Sequence, residues 1–183
     1  MQLSVGGDVQ EFMDLMRATA GELTSADLEV LAGAIHETWR ALAREEGWSM
    51  QPHLDKPYSK LAEADKEDNR AAARRIPAVL ALIGLVLRKD EDGTLRAASH
   101  GELEAQFDRD IERLAEAEHD GWMAQRCRTG WRYGETRDDA RKLHPAMLPY
   151  AQLPEREKGK DRNNVRHYPD FAARAGYRIS SIE

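Results

Sequence analysis

Apolar positions recur at helical spacing in two long stretches of the chain. Leu28, Leu31, Ile35, Trp39 and Leu42 form one inward face, and Gly47 stops the run. Thr24, three residues before Asp27, supplies a start signal of the Ser/Thr-x-x-Asp kind. The second stretch starts at a Ser99/Glu102 capping box and carries Leu103, Phe107, Ile111, Leu114 and Trp122 on its apolar face. Between them, Pro52, His53, Asp55 and Pro57 mark an irregular loop, and a polar helix is expected over 62–75. Ile76-Pro77 should break that helix, with Pro77 opening a shorter apolar helix over 78–83 that Gly84 ends before a strand at Leu85, Val86 and Leu87. Residues 89–93, KDEDG, read as a polar linker. Ahead of all this, residues 1–22 form an arm with a short amphipathic helix that carries Phe12, Leu15 and Met16.

The pattern is written twice. His36 and His119, Trp39 and Trp122, Gly47 and Gly130, and Trp48 and Trp131 are each 83 positions apart. Beyond the loop, Pro57, Tyr58, Leu61, Lys66, Arg70, Arg74, Pro77 and Gly84 match Pro149, Tyr150, Leu153, Lys158, Arg162, Arg166, Pro169 and Gly176, each 92 apart. The nine extra residues of the second copy therefore lie between Trp131 and Pro149, in a loop that holds Tyr133, Arg137, Lys142 and His144. Two copies are too few for a solenoid, so the expectation is a pseudo-twofold pair burying one core. In domain terms this gives the arm, 1–22, and a single domain, 23–183, built of half-repeats at about 24–88 and 99–180.

Composition narrows the class. With 183 residues and 41% hydrophobic content the chain can bury one core. Its longest apolar run, 76–87, is interrupted by Pro77 and Gly84 and falls short of the roughly 20 residues of a membrane span. The start, MQLSVGGDVQEF, has no basic and apolar signal pattern, and the lone Cys127 forbids an internal disulfide. A cytoplasmic setting is expected. The net charge of -6 hides an asymmetry: 126–178 holds 13 Lys/Arg against 7 Asp/Glu, or +6, which leaves -12 elsewhere. The C-terminal third suits a small anion, whereas the acidic remainder would repel a long nucleic acid.

No cofactor or metal is expected, because His36-Glu37 lacks the second histidine of a zinc helix and His119-Asp120 stands alone. No nucleophile–base pair or Gly-rich phosphate loop is evident, so the chain is read as a non-enzyme. Trp39 and Trp122 sit in line with apolar faces, with His36 and His119 one turn away. All four are assigned to the seam between the halves. Trp131 and Tyr133 follow a helix end between Gly130 and Gly134; they form either a stacking face for a base or a plug of the core. Arg162 and Arg166, four apart on a helix, either meet phosphate with Lys142 and His144 or form a solvated face.

His-x-x-Trp, Gly-Trp-x-Tyr-Gly, His-Pro-x-x-x-Pro-Tyr and a basic helix ending in Gly-Tyr-x-Ile resemble the RyR domain, the repeat of ryanodine receptors that also occurs in small prokaryotic proteins. The matching residues are His119, Trp122, Gly130, Trp131, Tyr133, Gly134, His144, Pro145, Pro149, Tyr150, Lys158, Arg162, Gly176, Tyr177 and Ile179. The first copy is degenerate, with Ser49-Met50 in place of Arg132-Tyr133 and no His-Pro. The resemblance implies an α+β fold, mostly helical with a few short strands, whose two similar halves share a pseudo-twofold axis. It implies a sensor or binding module, of the kind proposed to receive nucleotide-derived signals in prokaryotic antiviral defence, and no channel. Together these readings point to a small phosphorylated nucleotide-like ligand held by Trp131, Tyr133, Arg137, Lys142, His144, Tyr150, Arg162 and Arg166, with binding shifting a conformation or a homo-oligomer. The alternative is a protein-interaction or scaffolding module that docks an effector and has no small ligand.

Overall fold

The computed structural model describes residues 14, 23–90 and 100–181, and the rest of the arm, the Ser99 cap and most of the polar linker lie outside them. Helix α1 (Ser25–Glu45) is followed by a 3-10 turn (Tyr58–Lys60), helix α2 (Glu63–Ala81) and strand β1 (Leu85–Lys89). The same order returns as helix α3 (His100–Arg128), a 3-10 turn (Tyr150–Gln152), helices α4 (Glu155–Arg166) and α5 (Tyr168–Arg174), and strand β4 (Tyr177–Ser181). The second pass also carries a two-residue parallel pair, β2 (Arg132–Tyr133) with β3 (Leu143–His144), inside its longer loop. The fold is thus mostly helical with a few short strands, an α+β architecture.

Local signals explain the ends of the elements. Thr24 caps α1: the Asp27 backbone N–H donates to Thr24 Oγ1 at 3.1 Å, and the Thr24 hydroxyl donates to the Asp27 carboxylate at 2.6 Å. That carboxylate also accepts Lys89 Nζ at 2.5 Å and the Tyr177 hydroxyl at 2.9 Å, which tethers α1 to both β1 and β4. Lys89 first, then Thr24, holds the Asp27 carboxyl below its ordinary range. Gly47 and Gly130, with φ of 66° and 85°, turn the chain out of α1 and α3 in a region that disfavours residues with a Cβ.

The expected break at Pro77 is absent, because α2 runs through it without interruption. An internal proline costs about 3 kcal/mol. Ile76, Pro77, Ala78, Val79 and Leu80 are all buried, and each large apolar side chain returns roughly 1.5–3 kcal/mol, so packing outweighs the lost hydrogen bond. In the second pass the break does occur: α4 ends at Arg166, and Pro169 sits in the first turn of α5.

The main core joins both passes, with Leu31, Ile76, Leu80, Leu85, Leu114 and Phe171 among its most buried members. Helix α1 packs on α2, α3 on α4, and α2 on α3. Strands β1 and β4 pair antiparallel, and Leu87 lies opposite Ile179, its own counterpart 92 positions on. Hydrogen bonds recur in the same way. His36 Nε2–H donates to the Lys56 carbonyl and His119 Nε2–H to the Leu148 carbonyl, both at 2.8 Å. The Tyr58 hydroxyl donates to Glu29, which Arg70 also holds; the Tyr150 hydroxyl donates to Glu112, which Arg162 also holds. Among the described residues no helix is long and apolar enough to cross a membrane.

Leu80 is fully buried and Val30 is 45% exposed. In urea unfolding, Leu80→Ala is expected to lower stability by about 2–5 kcal/mol, and Val30→Ala by less than about 0.5 kcal/mol.

Candidate functional site

The charged and aromatic residues of the two passes meet around a cavity of about 330 Å³, walled by α1, α2, α3, α4 and the two long loops. All four tryptophans of the chain, Trp39, Trp48, Trp122 and Trp131, line it, and each is half-buried. His36 and His119 line it too, almost fully buried. Helical periodicity expects Trp39 and Trp122 to face inward, and they do. What they face is the cavity wall, not a fully packed interior.

The longer loop of the second pass reaches this wall through Arg137, Asp139, His144 and Ala146. His144 stands edge-on to Trp122, with ring centres 5.1 Å apart, and to Trp131 at 6.2 Å. Its Nδ1 accepts the Ala146 backbone N–H at 3.1 Å. Burial, then the charges of Arg137 and Arg126, push the imidazole down to about 4, so it is neutral at neutral pH.

Cations cover several indole faces. The Arg126 guanidinium lies 4.8 Å from the Trp131 ring centre and 5.8 Å from that of Trp122; Lys160 lies 5.4 Å from Trp48. Each rim cation also has a carboxylate: Arg126 pairs with Asp68 at 2.9 Å, Arg137 with Asp139 at 2.6 Å, and Lys160 with Glu157 at 2.7 Å. Two of these contacts bridge the passes, since Asp68 comes from α2 and Trp48 from the first long loop. Asp139 likewise lies 3.8 Å from His53.

Deeper in the wall, Arg75 crosses from α2 to Glu118 on α3, with Nε and Nη2 donating to its two oxygens at 3.2 and 2.6 Å. The Tyr168 hydroxyl and Asn164 Nδ2 complete the carboxylate at 2.8 and 3.2 Å. Arg75 has room to cross because residue 121 is glycine; a Cβ there would collide with Arg75 Cδ. Beside this pair, Asp161 approaches His119 Nδ1 at 3.3 Å. Since Nε2–H serves Leu148, that contact needs a proton on Nδ1. Burial opposes the charge, but the Asp161 carboxylate overrides it and raises the imidazole above its ordinary value.

Of the residues assigned from sequence to ligand binding, Trp131, Arg137 and His144 line the cavity. The others are held elsewhere. Tyr133 is 49% exposed and does not line the cavity. Lys142, with φ of 54°, donates through Nζ to the Thr129 carbonyl at 2.7 Å and closes the end of α3. Tyr150 is buried with its hydroxyl on Glu112. Arg162 is neutralised by Glu112 and Glu155, and Arg166 by Asp108 at 3.2 Å. The wall residues that sequence reasoning missed include Trp48, Arg75, Glu118, Arg126, Lys160 and Asp161.

The two histidines give opposite pH signatures. An unfolded His144 takes up a proton below pH 6.5 and the folded one only near 4, so its contribution to stability is lost as pH falls through that window. His119, raised in the folded protein, contributes fully below 6.5 and loses its contribution as pH rises through its folded value. Urea midpoints between pH 4.5 and 8 are expected to fall less steeply on the acid side in His144→Asn, and less steeply on the alkaline side in His119→Asn, than in the parent.

Half of this wall comes from a stretch that the comparison with known families covers: residues 97–181 match the family model of the RyR domain, and over that stretch, which contributes Trp122, Trp131 and His144, the chain is similar to RyR domains.

Proposed function

We propose that the chain is two RyR-type halves packed about a pseudo-twofold axis, and that the cavity between them binds a small nucleotide-like molecule without transforming it. The observation that carries this reading is the convergence of all four tryptophans and both repeated histidines on one cavity of about 330 Å³. That volume is at the lower end of small-ligand pockets, roughly 300–1,000 Å³, and suits a single ring with its sugar. Indole faces offer stacking to a planar base at about 1–3 kcal/mol per base. The recurrence of the His36 and His119 hydrogen bonds, and the pairing of Leu87 with Ile179, support the two-halves part of the reading.

Phosphate belongs at the rim, where Arg126, Arg137 and Lys160 gather. Their present partners, Asp68, Asp139 and Glu157, are carboxylates that an incoming phosphate displaces. Displacing Asp68 from Arg126 releases a bridge between α2 and α3, so occupancy is coupled to how the halves sit together. Such coupling is what a sensor domain requires, and it gives the site its output.

Calorimetric titration with ribonucleoside monophosphates and diphosphates tests this. Trp131→Ala and Arg126→Ala are each expected to weaken binding at least about tenfold, or 1.4 kcal/mol. Lys142→Ala is expected to leave affinity within about twofold, because Lys142 serves the end of α3. Absence of binding across the panel, or loss in Lys142→Ala with Trp131→Ala unaffected, contradicts the proposal and favours the protein-interaction alternative.

A further inference from the structure

The tryptophans and histidines of the cavity wall repeat, but its floor does not. Trp39 and Trp48 have counterparts in Trp122 and Trp131, whereas the counterparts of Arg75, Glu118 and Asp161, taken at the same spacings, are His167, Ile35 and Asn69. Gly121, which gives Arg75 its passage, corresponds to Thr38. A charged assembly present on one side alone, and requiring a glycine to exist, is not part of the frame that holds two similar halves together.

Its composition says what it accepts. Arg75 is 4% exposed, and its Nε and Nη2 are fixed on Glu118. Nη1 has no hydrogen-bond partner among the described residues. Ser180 Oγ is the one described side-chain polar atom sealed from solvent without a partner, so Nη1 keeps some exposure, and Arg75 lines the cavity. Asp161 lines the same cavity close enough for the charge of Arg75 to act on it, and its carboxylate meets His119 through Oδ2, leaving Oδ1 without a hydrogen-bond partner among the described residues. The floor thus offers one guanidinium NH2 group as donor and one carboxylate oxygen as acceptor. The charge of Arg75 is already matched by Glu118, and Asp161 is already engaged by His119 through one oxygen. A second ion has nothing there to balance it, and a neutral polar edge fits.

We propose that the ligand enters base-first, and that Arg75 Nη1 and the Asp161 carboxylate read the edge of its ring: a ring atom or carbonyl accepts from Arg75, and an adjacent N–H donates to Asp161. This rests on the reading of the cavity as a nucleotide site and adds the ligand's orientation and the two residues that select it. The phosphate then points outward to Arg126, Arg137 and Lys160. Nucleobases with an N–H beside an acceptor satisfy the floor. A purine without that N–H covers Asp161 Oδ1 and offers it no donor, which is the kind of mismatch that polar sites reject strongly.

The probes are the four ribonucleoside 5′-monophosphates and purine riboside 5′-monophosphate, which keeps ring, sugar and phosphate but has no N–H on that edge. In calorimetric titrations of the full chain, the best of the four is expected to bind at least about tenfold more tightly than purine riboside 5′-monophosphate. Asp161→Asn, which installs the residue found at the matching position 69, is expected to shrink that ratio to about threefold or less while binding persists. Equal affinity for all five probes overturns the floor assignment and leaves the cavity as the site. No binding by any of the five overturns both. The comparison of probes needs no variant, so it decides the matter even if Asp161→Asn fails to fold.

Discussion

The buried ion pair between Arg75 and Glu118 is the constraint around which the rest is arranged. Both side chains are 4% exposed, and removing two ions from water costs several kcal/mol each unless every lone pair and proton is satisfied. Glu118 meets that condition, accepting from Arg75 twice, from Tyr168 and from Asn164. Those four bonds come from three residues on α2, α4 and α5, while Glu118 sits on α3, so the pair fixes how the first-pass helices approach the second-pass ones. Gly121 follows from the same demand, because any side chain there would block the route of Arg75. Well-packed apolar residues would join the helices as firmly, which makes the retention of charge here an argument for the cavity it floors.

Much of the frame was legible in the sequence, since its causes are local or periodic. The Thr24 cap, the inward faces of α1 and α3, the strand after Gly84 and the glycine stops all depend on residues a few positions apart. The doubled register at 83 and 92 positions anticipated that Tyr58 and Tyr150, or Arg70 and Arg162, would hold matching places. Pro77 was misjudged because its local penalty is visible in the chain, whereas the burial that offsets it is tertiary.

The site was less legible, for the converse reason. Arg162 and Arg166 do share a helix face, but besides the local Glu155 the acids that neutralise them, Glu112 and Asp108, lie 50 and 58 positions earlier on α3, one turn apart. Periodicity assigned Trp39 and Trp122 an inward direction, and direction alone does not separate a packed interior from the wall of a cavity. Arg75 and Glu118, 43 residues apart, each read as an ordinary charge on a polar helix face. The signal that finds them is where the repeat fails: Ile35 against Glu118, His167 against Arg75, Thr38 against Gly121. The tryptophans and histidines of the wall keep the repeat, and the charged floor departs from it.

The most direct test of the account is whether a ligand reports from inside the tryptophan-lined cavity. The four indole N–H groups give four separate signals in a nitrogen–proton NMR spectrum of the labelled protein. On titration with the tightest-binding ribonucleoside monophosphate, the account predicts that all four move together and saturate at one equivalent. Indole signals that stay fixed while backbone amides around Arg162 and Arg166 shift would contradict it, and would move the site to the outer face of α4.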